Sequence, residues 1–191
     1  MPNRATDPGD LKFVFEERRA VQAAAILLRI EGGRENYTKL LKLLYLADRR
    51  SLLETGRPIT GSSFVNMANG PVLSEVYECI KCEPGSGLWD CHVRTDGYDV
   101  ELLADAGDDQ LSDYDVQILT ELAEKYRDVS YTKLITVAHQ LPEWRHPEPA
   151  KVASLPAVDV LRAVGEDDET IAGQAKQNAY VSAVRRLLYS S

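Results

Sequence analysis

Three cysteines and a histidine carry the most recognisable chemistry in this chain. Cys79-x-x-Cys82 is followed by the adjacent pair Cys91 and His92, and thiolates and imidazoles are the ligands of structural zinc sites. The spacing meets only half of a zinc pattern, because no second Cys-x-x-Cys pair follows. We also predict Cys91 and His92 within a β-strand, where adjacent side chains point to opposite faces and need a bulge to share an ion. We therefore expect no metal and no cofactor, and keep a zinc-dependent module that uses these four residues as an alternative.

Asp48 is the second residue of chemical interest, because its carboxylate lies in a predicted helix dense in leucine. At about 100° per residue, Asp48 falls on the apolar arc between Leu44 and Leu52. An unpaired buried carboxylate is costly, so Asp48 needs hydrogen-bond donors. We predict these donors at the N-terminus of the following helix, which we place at Gly70-Pro71-Val72. We interpret Asp48 as a structural acceptor, and the alternative is a catalytic acid with a shifted pKa.

The other polar residues of the same helix form a narrow basic seam. Lys39, Lys42, Tyr45 and Arg49 share the sector of the helical wheel opposite the leucines. A solvated stripe is the commoner arrangement, since long charged side chains lie over apolar surface with their heads in water. A surface that faces a protein partner is the other interpretation. Tyrosine and arginine are frequent anchors of binding energy, so we nominate Tyr45, Arg49 and Tyr77 as partner-binding residues, with Lys39 and Lys42 beside them.

Composition and motifs exclude several classes of function. The chain has no Gly-rich phosphate loop, no His-Glu-x-x-His and no Gly-x-Ser-x-Gly, so we expect no enzymatic reaction. Lys plus Arg number 22 against 30 Asp plus Glu, a net charge of −8, which argues against direct nucleic-acid binding and favours a basic protein partner. No apolar run has the length of a signal peptide or membrane span, and three cysteines suit a reducing compartment. We expect a cytoplasmic protein.

The elements that must position these residues are mostly helical. We predict a disordered leader over residues 1–12 and one domain over residues 13–191, whose 44% hydrophobic content is enough to build a core. Periodicity and capping residues, among them Thr38, Ser112 and Ser130, predict the helices, and alternation around Asp96-Gly97 predicts a hairpin. The predicted helices are 15–30, 38–55, 71–82, 112–126, 130–141, 156–164 and 168–189. The predicted strands are 63–68, 89–95 and 98–103, which together make a small antiparallel sheet. This combination predicts an α+β fold, mostly a helical bundle around the buried 38–55 helix.

Residues 38–81 resemble the SocA-like antitoxin domain, also called Panacea, of bacterial and phage-associated toxin–antitoxin pairs. The resemblance rests on motifs that follow one another in the family's order: Lys39-x-x-Lys42-Leu-Leu-Tyr45, Thr55-Gly-x-Pro58, Gly70-Pro71-Val72 and Glu75-Val-Tyr77. It extends over about residues 16–145, where Ala138-His139 and Trp144 stand like the family's second half. Asn69 departs from the pattern, since related sequences often carry an aromatic residue or histidine before the glycine.

This resemblance implies a function that the residues alone do not. It implies a type II antitoxin that binds a cognate toxin directly and blocks it, or alternatively an adaptor that delivers the toxin to a cellular protease. His139 and Trp144 are interpreted as packing and hydrogen-bonding residues at a helix end, because no nucleophile with an obvious partner stands beside them.

Overall fold

A computed structural model describes residues 11–81, 87–148 and 151–189 of the 191-residue chain. The predicted leader, up to residue 10, lies outside the described residues, whereas Leu11 is buried in the core. Eight helices and six short strands are found in the described part of the chain. In chain order they are α1 (Glu17–Ile30), β1 (Arg34–Asn36), α2 (Tyr37–Thr55), β2 (Phe64–Met67), β3 (Gly70–Leu73), α3 (Ser74–Lys81), α4 (Leu88–His92), β4 (Val93–Asp96), β5 (Asp99–Leu102), α5 (Asp113–Tyr126), α6 (Tyr131–His139), β6 (Ala153–Ser154), α7 (Ala157–Ala163) and α8 (Asp168–Tyr189). The predicted α+β, mostly helical fold is confirmed.

Helix α2 lies at the centre of the fold. It contacts α1, α5, α6 and β3, and its leucines form the middle of the hydrophobic core. Its N-cap is Asn36, whose side chain accepts a hydrogen bond from the backbone N–H of Thr38 at 2.9 Å. The predicted cap at Thr38 is therefore wrong by two residues, because the extended backbone of β1 runs directly into the helix. Gly56 ends α2 in the left-handed conformation, as the glycine-then-proline exit predicts.

The strands form two sheets, whereas the sequence predicts one. Strands β1, β5 and β4 pair antiparallel in that order, and β2 lies between β3 and β6 in a second antiparallel sheet. The predicted hairpin is present, but Asp96 pairs with Asp99, so Gly97 and Tyr98 form its turn. The predicted start of its first strand at Trp89 is wrong, since residues 88–92 form helix α4.

The segment Gly70-Pro71-Val72 is a strand and not the start of a helix. Proline fits both the first helical turn and an edge strand, because both positions dispense with its missing N–H. Here β3 lies at the edge of its sheet and pairs with β2. Helix α3 begins instead at Ser74, where the Glu75 carboxylate accepts hydrogen bonds from Ser62 and Ser63.

Asp48 is fully buried, but its donors differ from those that the sequence predicts. The backbone N–H of Thr60 donates to Oδ1 at 3.0 Å and the Thr60 hydroxyl donates to Oδ2 at 2.5 Å. The predicted contact with residues 70–72 is wrong, since these residues form β3. Buried Arg19 of α1 donates to the neighbouring Ile59 carbonyl at 2.6 Å and to Asp115 of α5 at 3.0 Å. Two buried polar contacts therefore fix the loop after α2 to both α1 and α2.

No helix in the described ranges is both long enough and apolar enough to cross a bilayer.

We predict that Asp48 makes the stability of the protein depend on pH. Burial raises the pKa of Asp48 from 3.8 to about 7, although the Thr60 hydrogen bonds act in the opposite direction. A raised carboxyl pKa means that the folded state holds a proton that the unfolded chain releases, so this contribution to stability is full below about pH 4 and is lost as the pH rises through about 7. Asp48→Asn keeps the shape and removes the titration. The unfolding free energy of the variant minus that of the wild type should rise between pH 5 and 7 by up to about 1.4 kcal/mol per pH unit.

Urea denaturation of both proteins at pH 5, 6, 7 and 8 measures this difference, which should level off above pH 7. Asp48→Ala serves as the control for the hydrogen bonds, since it leaves the Thr60 donors buried without an acceptor and should cost about 1 to 3 kcal/mol. A difference between Asp48→Asn and the wild type that does not change with pH contradicts the titration of Asp48.

Candidate functional site

The basic seam of α2 is buried in the structure. Lys39, Lys42 and Tyr45 are each at most 4% exposed, and the Arg49 side chain is 16% exposed. The prediction of an exposed, solvated polar stripe is therefore wrong. A helical wheel shows the direction of a side chain but not the element that covers it, and here four other segments of the chain do so.

Lys39 is covered by the turn after α1 and by the end of α5. Its ammonium lies 3.0 Å from a carboxylate oxygen of Glu31 and 2.8 Å from one of Glu35, and it donates to the Arg127 carbonyl at 2.8 Å. Burial lowers the pKa of Lys39, but the hydrogen bonds to Glu35 and Glu31 outweigh it and hold the pKa above its usual value. Lys39 is thus a charged structural contact with its counter-ions in place.

Tyr45 and Arg49 share one buried carboxylate, that of Glu143. The Tyr45 hydroxyl donates to Oε1 at 2.8 Å. Arg49 donates to both carboxylate oxygens, from Nε to Oε1 at 2.6 Å and from Nη2 to Oε2 at 3.2 Å. Burial, together with the Glu143 charge, raises the pKa of Tyr45 well above its usual value, so the phenol stays a donor. Glu143 is 3% exposed. Glu143 is not among the residues nominated from the sequence. It stands between Pro142 and Trp144, and because its carboxylate is buried it needs partners within the fold.

Lys42 differs from the other cations of the seam because it has no carboxylate partner among the described residues. Its ammonium donates to the carbonyl of Pro71 on β3 at 2.8 Å, and the residue is 1% exposed. Burial lowers the pKa of Lys42 to about 7, because an ammonium without a counter-ion is poorly solvated inside the protein.

Gly70 allows β3 to approach Lys42 and α6. It has a φ of +93°, and a Cβ at this position would lie 2.8 Å from the Cβ of Ala138 and 3.3 Å from the ammonium of Lys42. Both the backbone conformation and the close contact therefore require glycine. The motif Gly70-Pro71-Val72 has a physical basis: the glycine allows the approach, the proline carbonyl accepts from Lys42, and Val72 is buried in the core.

His139 and Trp144 hold the turn between β2 and β3. Their rings stack with centroids 4.0 Å apart. His139 Nε2 donates to the carbonyl of Ala68 at 3.0 Å, and Trp144 Nε1 donates to that of Met67 at 3.3 Å. These two residues therefore pack at the end of α6 and donate hydrogen bonds to backbone carbonyls of the β2–β3 turn.

A small cleft lies where α2, α3 and the β2–β3 turn meet. Its volume is about 150 Å³, and it is called the Lys42 cleft below. The polar residues and the glycine that line it are Tyr37, Thr38, Lys42, Asn69, Gly70 and Tyr77. At its edge, the ring of Tyr37 stacks on that of Tyr98 at 6.2 Å, and the ammonium of Lys81 lies 3.6 Å from the centre of the Tyr37 ring. Of the residues nominated from sequence, the structure brings Lys42, Gly70, Val72 and Tyr77 together at this cleft. Tyr45 and Arg49 lie elsewhere, at Glu143.

The cysteines and the histidine are placed differently from the prediction. Cys91 and His92 lie in helix α4 and not in a strand, so the argument from strand alternation is wrong. His92 Nδ1 lies 3.3 Å from the Ala104 carbonyl, and Cys91 Sγ lies 3.7 Å from the Gly87 carbonyl. Cys82 lies outside the described residues. Within the described ranges, no group of three or more His, Cys, Asp or Glu side chains is arranged to hold a metal ion.

Comparison with known proteins gives one match. The family model described as "Antitoxin SocA-like, Panacea domain" matches residues 40–145, more than half of the chain. The matched region includes most of α2, the β2–β3 hairpin, α6 and Trp144, and with them the residues that line the Lys42 cleft except Tyr37 and Thr38. No curated protein and no solved structure gives a significant match.

We predict that Gly70→Ala destabilises the protein more than Gly33→Ala. Gly33 has nearly the same φ, +91°, but a Cβ there meets nothing within 4 Å. Gly33→Ala should therefore cost only the strain of the left-handed backbone, about 1 to 2 kcal/mol. Gly70→Ala should cost a further 1 to 3 kcal/mol or so, because the added methyl overpacks against Ala138. Chemical denaturation of both variants measures the difference, and equal costs contradict the close approach of β3 to α6.

We also predict that the purified protein contains far less than one zinc ion per chain, since the four candidate ligands meet the spacing of a zinc site only in part. Elemental analysis by mass spectrometry gives the metal content. A stoichiometry near one zinc, with loss of folding when a chelator removes it, contradicts the prediction.

Proposed function

The chain belongs to the SocA-like antitoxin family with a Panacea domain, and we propose that it neutralises a cognate toxin by binding it directly, as the antitoxin of a type II system. In this proposal the protein catalyses no reaction of its own. It acts by covering a surface that the toxin needs for its activity.

The observation that carries this proposal is the contrast between the polar residues of α2 that are bound within the fold and the open cleft beside them. Lys39, Arg49 and Asp48 are each held in hydrogen bonds within the fold, so they serve as structural contacts. The Lys42 cleft, in contrast, is open and has tyrosines at its edge. Aromatic residues around a small pocket are typical of the centre of a protein interface. We therefore propose that the toxin binds over the cleft.

The partner-binding residues that we propose therefore differ in part from those nominated from the sequence. Tyr45 is inaccessible and Arg49 is engaged by Glu143, so the anchors we now propose are Tyr77, which lines the cleft, and Tyr98, which is 76% exposed beside Tyr37. The net charge of −8 supports a toxin with a basic surface, since opposite charges speed and orient association.

The proposal predicts that co-expression of this protein rescues cells from the toxin encoded by the adjoining gene, and that the two proteins purify as a complex. Tyr77→Ala and Tyr98→Ala should each weaken the complex about tenfold or more, because an interface tyrosine commonly contributes at least about 1.4 kcal/mol. Tyr180→Ala is the matched control. Tyr180 is as exposed as Tyr98, at 72%, but lies on α8, outside the region that the family model matches.

Calorimetric titration of the purified proteins measures these dissociation constants, and growth assays measure rescue. Rescue by all three variants at wild-type level, with unchanged affinity, excludes the cleft as the interface. A toxin that stays active beside the wild-type protein, with no complex at micromolar concentration, overturns direct neutralisation. Rescue that requires a particular cellular protease supports the adaptor mechanism instead.

A further inference from the structure

We infer that the Lys42 cleft receives an acidic side chain of the toxin, whose carboxylate pairs with the Lys42 ammonium. This inference rests on the proposed function and names the contact at the centre of the interface. Lys42 is the only charged residue of the α2 seam that has no counter-ion among the described residues.

The first support is the difference between Lys42 and its neighbours on α2. Lys39 meets two carboxylates and Arg49 meets one, whereas Lys42 meets only the carbonyl of Pro71 among the described residues. An ammonium has three N–H donors, and a buried cation with one neutral acceptor is poorly compensated. The lowered pKa of Lys42, about 7, is the physical consequence of this burial. A carboxylate that enters the cleft would supply the missing charge.

The second support is the shape and lining of the cleft. Lys42 and Gly70 both line the cleft, and the Lys42 ammonium lies 3.3 Å from the point where a Cβ on Gly70 would stand. The volume of about 150 Å³ is suited to a short side chain. Thr38, Asn69 and Tyr77 also line the cleft and offer further hydrogen-bond donors. None of the described residues that line it is acidic, although acidic residues outnumber basic ones in the chain by 30 to 22. The cleft is therefore a local cationic site on an acidic protein.

The third support is the surface around the cleft, which favours a protein carboxylate over a free anion. Tyr37 and Tyr77 line the cleft and the ring of Tyr98 stacks on that of Tyr37. Contacts of this kind exclude water from a central ion pair. A basic toxin with one acidic residue opposite the cleft would be held in a single orientation, since every other placement leaves a buried charge unpaired.

The test uses Lys42→Met in the full-length protein, with Lys176→Met as the control that removes an exposed lysine. Lys42→Met should weaken binding of the toxin encoded by the adjoining gene about thirtyfold or more, the expected effect of removing one partner of a desolvated ion pair. Lys176→Met should change affinity less than about threefold, as expected for an exposed charge. The melting temperature of free Lys42→Met should not fall below that of the wild type by more than a few degrees, because methionine removes a buried charge that has no counter-ion.

A second measurement does not depend on how well Lys42→Met folds. Each Asp and Glu of the toxin is replaced in turn by Asn or Gln, and its affinity for the wild-type protein is measured. One such variant should lose affinity about thirtyfold or more, and that loss should disappear when the partner is Lys42→Met, since the two changes remove the same pair.

The outcomes separate the inference from the proposed function. Equal binding of the toxin by Lys42→Met and by the wild type overturns the inference and leaves direct neutralisation standing. Weaker binding by Lys42→Met without coupling to any acidic toxin residue also overturns it, as does competition by millimolar acetate that points to a free anion in the cleft. Absence of any complex with the wild-type protein overturns both.

Discussion

The rest of the structure depends on one constraint, which is that a helix with charged residues on its surface is buried on nearly all sides. Helix α2 packs against α1, α5, α6 and β3, so the polar groups on its buried faces are largely kept from water and must find partners within the fold. Lys39 fixes the turn after α1, Lys42 fixes β3, Arg49 fixes the segment at Glu143, and Asp48 fixes the loop at residues 56–63. These four polar residues of α2 are thus attachment points for four surrounding segments.

Local signals in the sequence predicted seven of the eight helices in the described part of the chain, and missed α4, which was predicted as a strand. Ser112 and Ser130 cap α5 and α6 as predicted, because a side-chain cap satisfies the first free N–H groups of its own helix. Partners that are distant in sequence leave no such signal. Nothing near Glu143 shows that Arg49 will meet it, and Gly70-Pro71 fits a helix start as well as an edge strand. Residues 70–73 form a strand because they pair with residues 64–67, and this pairing is a tertiary effect.

The candidate site was only partly predictable for the same reason. The motif that contains Gly70 and the motif that contains Lys42 were both visible in the sequence, but their contact depends on β3 turning back across α2. Asn69, which departs from the pattern on which the resemblance rests, is exposed and lines the Lys42 cleft. This difference changes the surface of the cleft and leaves the buried attachments unchanged. Surface positions of this kind tolerate differences between relatives that bind different partners.

The cleft is also formed before any partner arrives. His139 and Trp144 hold the carbonyls of the turn, Gly70 packs on α6, and the Pro71 carbonyl fixes the ammonium of Lys42. A rigid pocket lowers the entropic cost of association, because few side chains have to be ordered when the complex forms. The buried network that stabilises the fold thus also prepares the binding surface. Lys42 has no counter-ion among the described residues, so the free protein bears the cost of burying this cation. In the proposed complex a carboxylate would remove that cost on binding, which contributes to affinity as well as to specificity.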